Sequence, residues 1–284
     1  MRSRFFVFTL LLGAVWSGCP LQSWAHGDLH DSIEEASRRI AASPSDATLY
    51  FQRAEFYRLH EEYEAAEADY RRAGELTPGL SSTLLGLAQV RLAEKRPAES
   101  LPYFDDFLKE HPTHVRALYL RAQALEQTGA WEKADADLAA AIAAAQPPPI
   151  ELFLRRADGL VQHDRPADAV RCLEEGSAKL GRSLPLEQRA LEIEESKGDS
   201  TSALQRLDRF IAAGFRPDIW LARKARLLEK LGQRTEAAVA WKAADKFLTA
   251  AVSNKRPLPP DLKLAEEIHA ALARLTPPSP AGTH

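Results

Sequence analysis

Small side chains at a fixed interval constrain this chain more than any other feature. Ala54, Ala88, Ala122, Ala157, Ala190 and Ala225 recur about every 34 residues, with slips of one. A second series, Ala66, Ser100, Ala134, Ala169, Ala203 and Ala237, follows at an offset of about 12. Self-similarity at this period marks an array of helical repeats rather than a single globular core. A methyl-sized side chain is needed where two helices joined by a short turn approach closely. A bulkier residue forced into such a contact costs about 1–3 kcal/mol.

The stretch from Ala47 to Pro78 displays one whole unit. Tyr50, Ala54 and Tyr57 share one helical face, a turn follows at His60 to Tyr63, and Ala66, Tyr70 and Ala73 share a second face before Pro78. Each helix is about 12–15 residues long and too short to hold alone in water, so stacking on its neighbours must supply the missing burial.

These residues resemble the tetratricopeptide repeat, with its pattern of leading aromatic, Gly and Tyr places, then Ala, Phe and Pro. Tyr50, Ala54, Tyr57, Ala66, Tyr70, Ala73 and Pro78 fill it in the first unit. Leu84, Ala88, Ser100, Phe104 and Pro112 fill it in the second, and Leu118, Ala122, Leu125, Gly129, Ala134, Leu138 and Ala141 in the third. Phe153, Ala157, Leu160, Ala169 and Leu173 form a fourth, and Ala225, Leu228, Gly232, Ala237, Trp241 and Ala244 a sixth. The fifth departs: Ala190 and Ala203 lie one residue further apart than elsewhere, so its first helix or turn must absorb an insertion. The resemblance implies an all-α, right-handed superhelical solenoid of about six helix pairs over residues 47–249, with a capping helix at each end.

The flanks fit that frame. Arg2 and Arg4, the apolar run Phe5 to Trp16, and Ser23-Trp24-Ala25 form a signal peptide over 1–25, which predicts export to the periplasm or beyond. Lipid attachment at Cys19 fits less well, because Trp16 and Pro20 flank it. Loss of Arg2 and Arg4 would take the formal charge from -3 to -5. Such a mildly acidic chain does not suit nucleic acid. Cys172 would then be the sole cysteine, with no partner for an intramolecular disulfide and a place on the inner side of a second-type helix. Residues 26–46 are assigned to an N-terminal capping helix, in which Ile33, Ala36 and Ile40 share a face before Ser43-Pro44. Residues 250–275 form a linker and closing helix, with Asp261 as N-cap and Leu264, Ile268, Leu272 and Leu275 on one face. A frayed, Pro-rich tail over 276–284 follows.

The resemblance also indicates which first-helix positions face the concave groove. Three residues before the small position stand Phe51, Leu85, Tyr119 and Leu154, and one residue after it stand the acceptors Glu55, Gln89, Gln123 and Asp158. Arg58 and Arg116 belong to the same predicted face. A groove so furnished suits an extended or helical peptide partner with apolar anchors. Phe51 and Tyr119 suit the groove and packing against neighbouring first helices equally, whereas Leu85 and Leu154 suit the core better. The family's Lys and Asn clamp on a terminal carboxylate is not expected, since the one Asn is Asn254, outside the repeats.

Other features have structural explanations. Arg53 with Asp69, and Arg121 with Asp137, fall across the two helices of one unit as surface ion pairs of about 0–1 kcal/mol. Glu192, Glu194 and Glu195 form an acidic run expected on a solvated face. His111 and His114 straddle a turn. His26 and His30, near a processed N-terminus, are the alternative functional feature, a copper or zinc site. No cofactor is implied. No phosphate loop, nucleophile elbow or HExxH motif is present, so the sequence points away from an enzyme.

Overall fold

A computed structural model describes residues 21–253 and 258–275, with side chains from residue 29 onward. Fourteen α-helices and no strand lie among the described residues. The chain divides into two compact units, one ending at Ala130 and the other beginning at Trp131. The N-terminal unit holds α1 (Leu21–Ala42), α2 (Ala47–Leu59), α3 (Tyr63–Leu76), α4 (Ser81–Ala93), α5 (Pro97–Glu110) and α6 (Val115–Gln127). The C-terminal unit holds α7 (Trp131–Ala144), α8 (Ile150–Gln162), α9 (Pro166–Lys179), α10 (Leu184–Lys197) and α11 (Ser200–Ala212). It continues with α12 (Pro217–Lys230), α13 (Arg234–Val252) and α14 (Pro259–Leu275).

Within each unit, every helix packs chiefly on the helices before and after it in sequence. All twelve side chains of the two small-residue series are 0% exposed. These positions are therefore the points of closest approach, and the core grows around them. In the N-terminal unit Ala54, Ala66, Tyr70, Leu87 and Val90 cluster, with Phe51, Tyr57, Tyr63 and Tyr103 packed on their edge. Ala88, Phe104 and Ala124 form the next cluster along. In the C-terminal unit Leu191, Ala203, Leu207, Phe210, Trp220 and Leu227 form one cluster, and Phe210 lies against Trp220 with ring centroids 4.5 Å apart.

One contact is closer still. A Cβ placed on Gly86 of α4 would stand 2.4 Å from the Tyr70 ring, so glycine is the residue that lets α3 lay its aromatic side chain on α4.

The turns repeat as faithfully as the packing. After each first helix one residue takes the left-handed conformation: Glu61, Lys95, Gly129, Asp164, Gly198 and Gly232. The insertion in the fifth repeat is absorbed by α10. That helix runs to Lys197, well past Ala190, and its turn shortens to Gly198 and Asp199.

The ends are closed by single helices. α1 begins at Leu21, upstream of the expected cleavage after Ala25, and buries Ile33, Ala36 and Ile40. α14 buries Ile268 and Ala271 beside Leu221, Leu228, Trp241 and Leu248, while Leu264, Leu272 and Leu275 pack partly against them. Asp261 is not the N-cap of α14. It lies in the first turn, and its carboxylate reaches back to accept the Leu258 N–H at 3.1 Å. Residues 1–20 and 276–284, which hold most of the expected signal peptide with Cys19 and the tail, lie outside the described residues.

Replacing Ala88 by Leu should destabilise the protein by about 1–3 kcal/mol, because the added atoms have no space between α4 and α5. Ala98→Leu, on the exposed side of α5, should leave the thermal unfolding midpoint nearly unchanged.

Candidate functional site on the first helices

In the N-terminal unit α2, α4 and α6 are neighbours, and the predicted groove residues fall along them. Phe51, Leu85 and Tyr119 are each half-buried, as are Gln89 and Gln123, whereas Arg116 is exposed. Phe51 leans on the Tyr70 ring at 5.6 Å between centroids, and Leu85 packs against the Ala88 and Phe104 cluster. Glu55 is drawn into a local network. Arg58 Nη2 donates to its carboxylate at 2.6 Å, and the Tyr70 hydroxyl donates to the other oxygen. Burial, reinforced by that carboxylate, holds the Tyr70 hydroxyl well above the ordinary phenol range. Phe51, Glu55 and Arg58 are thus brought together around Tyr70. The fold uses Glu55 for its own hydrogen bonds and leaves Arg58 Nε buried without a partner.

The C-terminal unit treats its predicted residues similarly. Leu154 and Asp158 on α8 are half-buried. Asp158 is held by Arg189 of α10 at 2.7 Å, so it too is an internal acceptor. Further along, α10 and α12 bound a cleft of about 490 Å³ whose walls include Glu195, Ile219, Trp220, Arg223, Arg226 and Lys230. The sequence patterns did not single out this cleft. The shifted register of α10 hides the periodic positions there, although the run of cations along α12 is visible in the sequence.

The polar pairs between helices are more structural than the sequence suggests. Arg53 grips Asp69 with two hydrogen bonds, at 2.6 and 2.8 Å, and donates a third to Ser37 of α1 at 2.9 Å. The Asp69 side chain is only 8% exposed, so this is an enclosed, bidentate pair and not a surface one. Arg121 bonds Asp105 of α5 at 2.8 Å, and Lys224 bonds Asp208 of α11 at 2.5 Å. The acidic run on α10 is likewise engaged by arginines, with Glu194 buried, Glu195 half-buried and Glu192 on the exposed face. Glu194 is 4% exposed and binds the buried Arg206 at 2.7 Å, Glu195 binds Arg223 at 2.7 Å, and Glu192 binds Arg189 at 3.0 Å. A larger cleft of about 690 Å³ lies beside Arg206, whose donors are taken by Glu194 and by Glu174 at 2.7 Å.

Of the remaining candidates, His111, His114 and Cys172 have packing roles. His114 caps α6 by accepting the Ala117 N–H at 3.1 Å, and both His111 and His114 lie on the Phe107 ring. Cys172 is buried, and burial pushes its thiol pKa up. His30 sits 3.4 Å from Glu34 on α1, while the side chain of His26 lies outside the described residues. Among the described residues no three or more His, Cys, Asp or Glu side chains gather as a metal site, and no helix is long and apolar enough to cross a membrane.

The tetratricopeptide repeat family matches residues 23–81 and 85–148. Among solved structures, the chain resembles PilW, described as a widely conserved type IV pilus biogenesis factor, with 19% identity and a TM-score of 0.52. That likeness covers 68% of this chain and 89% of the other. A tetratricopeptide repeat protein from Parabacteroides merdae is 15% identical with a TM-score of 0.50, over 90% of this chain and 96% of that one. MamA from Desulfovibrio magneticus RS-1 is 16% identical with a TM-score of 0.50, over 56% and 89%. At these identities the likeness carries the fold. No curated protein matches the chain significantly.

The ion pairs make two measurable statements. Glu194→Ala removes the buried partner of Arg206, leaving it only the half-exposed Glu174, and should cost about 3 kcal/mol in urea unfolding, most of it regained when Arg206→Met is added. The Glu267 carboxyl on α14 is held below its ordinary pKa of 4.5 by its hydrogen bond from Arg226. Unfolded, that group binds a proton more readily. Its contribution is therefore present above about pH 4.5 and lost as pH falls through the lowered folded value. The protection of α14 amides, taken relative to the intrinsic exchange rate at each pH, should fall over that window, and Glu267→Gln should flatten the pH dependence.

Proposed function

We propose that this chain, a tetratricopeptide-repeat protein, is a non-catalytic scaffold that docks a segment of a partner protein on its first-helix face. The observation that carries this reading is the row Phe51, Leu85 and Tyr119. Three successive first helices present an apolar side chain at one register, and all three stay only half-buried while the nearby Ala54, Ala88 and Ala122 are sealed at 0%. Packing alone would favour burying such side chains. Left at the surface in a line and flanked by Gln89 and Gln123, they supply apolar anchors with hydrogen-bonding groups alongside, as an extended or helical peptide requires. The Arg58–Glu55–Tyr70 network fixes the floor at one end of the row, which lowers the ordering cost of binding.

The place of action we propose is the cell envelope, from the basic, apolar and small-residue pattern of residues 1–25. Release of a product beginning at His26, detected by N-terminal sequencing of the exported protein, is the expected outcome. A product retaining Met1 would remove this part of the proposal.

For docking, the test is cross-linked capture from the native envelope. Phe51→Ala with Tyr119→Ala should abolish recovery of the partner while far-ultraviolet circular dichroism stays unchanged. Undiminished recovery by this folded double variant would rule out the row as the docking surface.

A further inference from the structure

The cleft between α10 and α12 is cationic in a chain that is acidic overall. Three cations, Arg223, Arg226 and Lys230, line it against one acid, Glu195. Its apolar component is Ile219, Trp220 and Leu227, and Ile219 is 41% exposed even though it stands at the start of a packed helix. The two arginines already show what the cleft recognises. Arg223 holds the Glu195 carboxylate through Nε and Nη2, at 3.1 and 2.7 Å. Arg226 holds that of Glu267 in the same two-pronged way, at 2.5 and 2.6 Å. The fork of a guanidinium fits a carboxylate in this manner. Lys230 is exposed and makes no ion pair among the described residues, so one positive charge at the rim is uncompensated. The larger cleft beside Arg206 also carries Arg182 and Arg209, but it sets two acids, Glu174 and Glu187, against its three cations, and its apolar lining is alanine alone.

We propose that the α10–α12 cleft takes an acidic protein segment, with a carboxylate at Lys230 and an adjoining apolar side chain against Ile219 and Trp220. This rests on the reading of first helices as the docking face and names the chemistry of what docks in the C-terminal unit. Glu267 of α14 is then the chain's own competitor, since a ligand carboxylate arriving at Arg226 must displace it.

The test uses the intact chain and a short fluorescein-labelled peptide alternating Glu and Leu, with a Lys and Leu peptide as comparator, read by fluorescence anisotropy. The Glu peptide should bind and the Lys peptide should not. Added salt should weaken the binding. Lys230→Glu and Ile219→Ser should each weaken it about tenfold or more. Both positions are exposed, and melting curves establish that the variants fold; should Lys230→Glu fail to fold, Lys230→Ala is read in its place. Glu267→Gln should tighten binding by freeing Arg226. Phe51→Ala with Tyr119→Ala should leave it unaltered, so loss of the N-terminal row and loss of this cleft are told apart. Equal binding of the two peptides, or Glu-peptide binding indifferent to both cleft substitutions, would overturn the proposal.

Discussion

The closeness that two helices can reach when only a methyl group separates them sets the terms for everything else in this protein. The twelve sealed small residues mark those contacts, two to a repeat. Helices of 13 or 14 residues lack the length to persist alone, and approach this close lets larger neighbours such as Tyr70, Phe104, Phe153 and Trp241 bury almost completely. Gly86 extends the logic by one atom, giving the Tyr70 ring a flat bed. Gly176 does the same for Phe153, whose ring a Cβ would meet at 2.7 Å.

Around that apolar contact lies a second layer of charge. Arg53, Arg121 and Lys224 occupy matching positions beside the small residue, and each reaches back to the helix before it, at Ser37, Asp105 and Asp208. Enclosed pairs such as Arg53–Asp69 and Arg206–Glu194 favour one alignment of neighbours, because a slipped helix would leave a charge buried alone. The packing surfaces consume the small residues and the seams consume most of the charges. On the first helices Phe51, Leu85, Tyr119 and Ile219 keep part of their surface in water.

Much of the architecture could be read from periodicity because a repeat states its packing rule many times over. The closing helices were legible for the same reason: Ile33, Ala36 and Ile40, or Leu264, Ile268 and Leu272, follow the helical period without a partner helix in sequence. Pairings that join distant positions were less visible. Glu194 and Glu195 resemble a solvated run until Arg206 and Arg223 are brought opposite them, and nothing local distinguishes a paired acid from a free one. Asp261 has the right identity for a cap, but its position is set by Arg216 at 2.8 Å as well as by the helix start. The predicted acceptors Glu55 and Asp158 were placed on the expected helices. That they already serve Arg58, Tyr70 and Arg189 depends on side-chain reach, which spacing does not encode.

The left-handed residue after each first helix has a bearing on how such a chain changes over generations. Glu61, Lys95, Asp164 and three glycines, Gly129, Gly198 and Gly232, each put one left-handed residue between a first helix and the next. Because the hinge residue and the small-residue contacts both recur with the period, a duplicated or deleted block of one full period carries compatible packing surfaces with it. A loss of a few residues does not, unless a helix lengthens to compensate as α10 has. Length in this lineage is accordingly quantised, and new binding surface is gained a whole helix pair at a time.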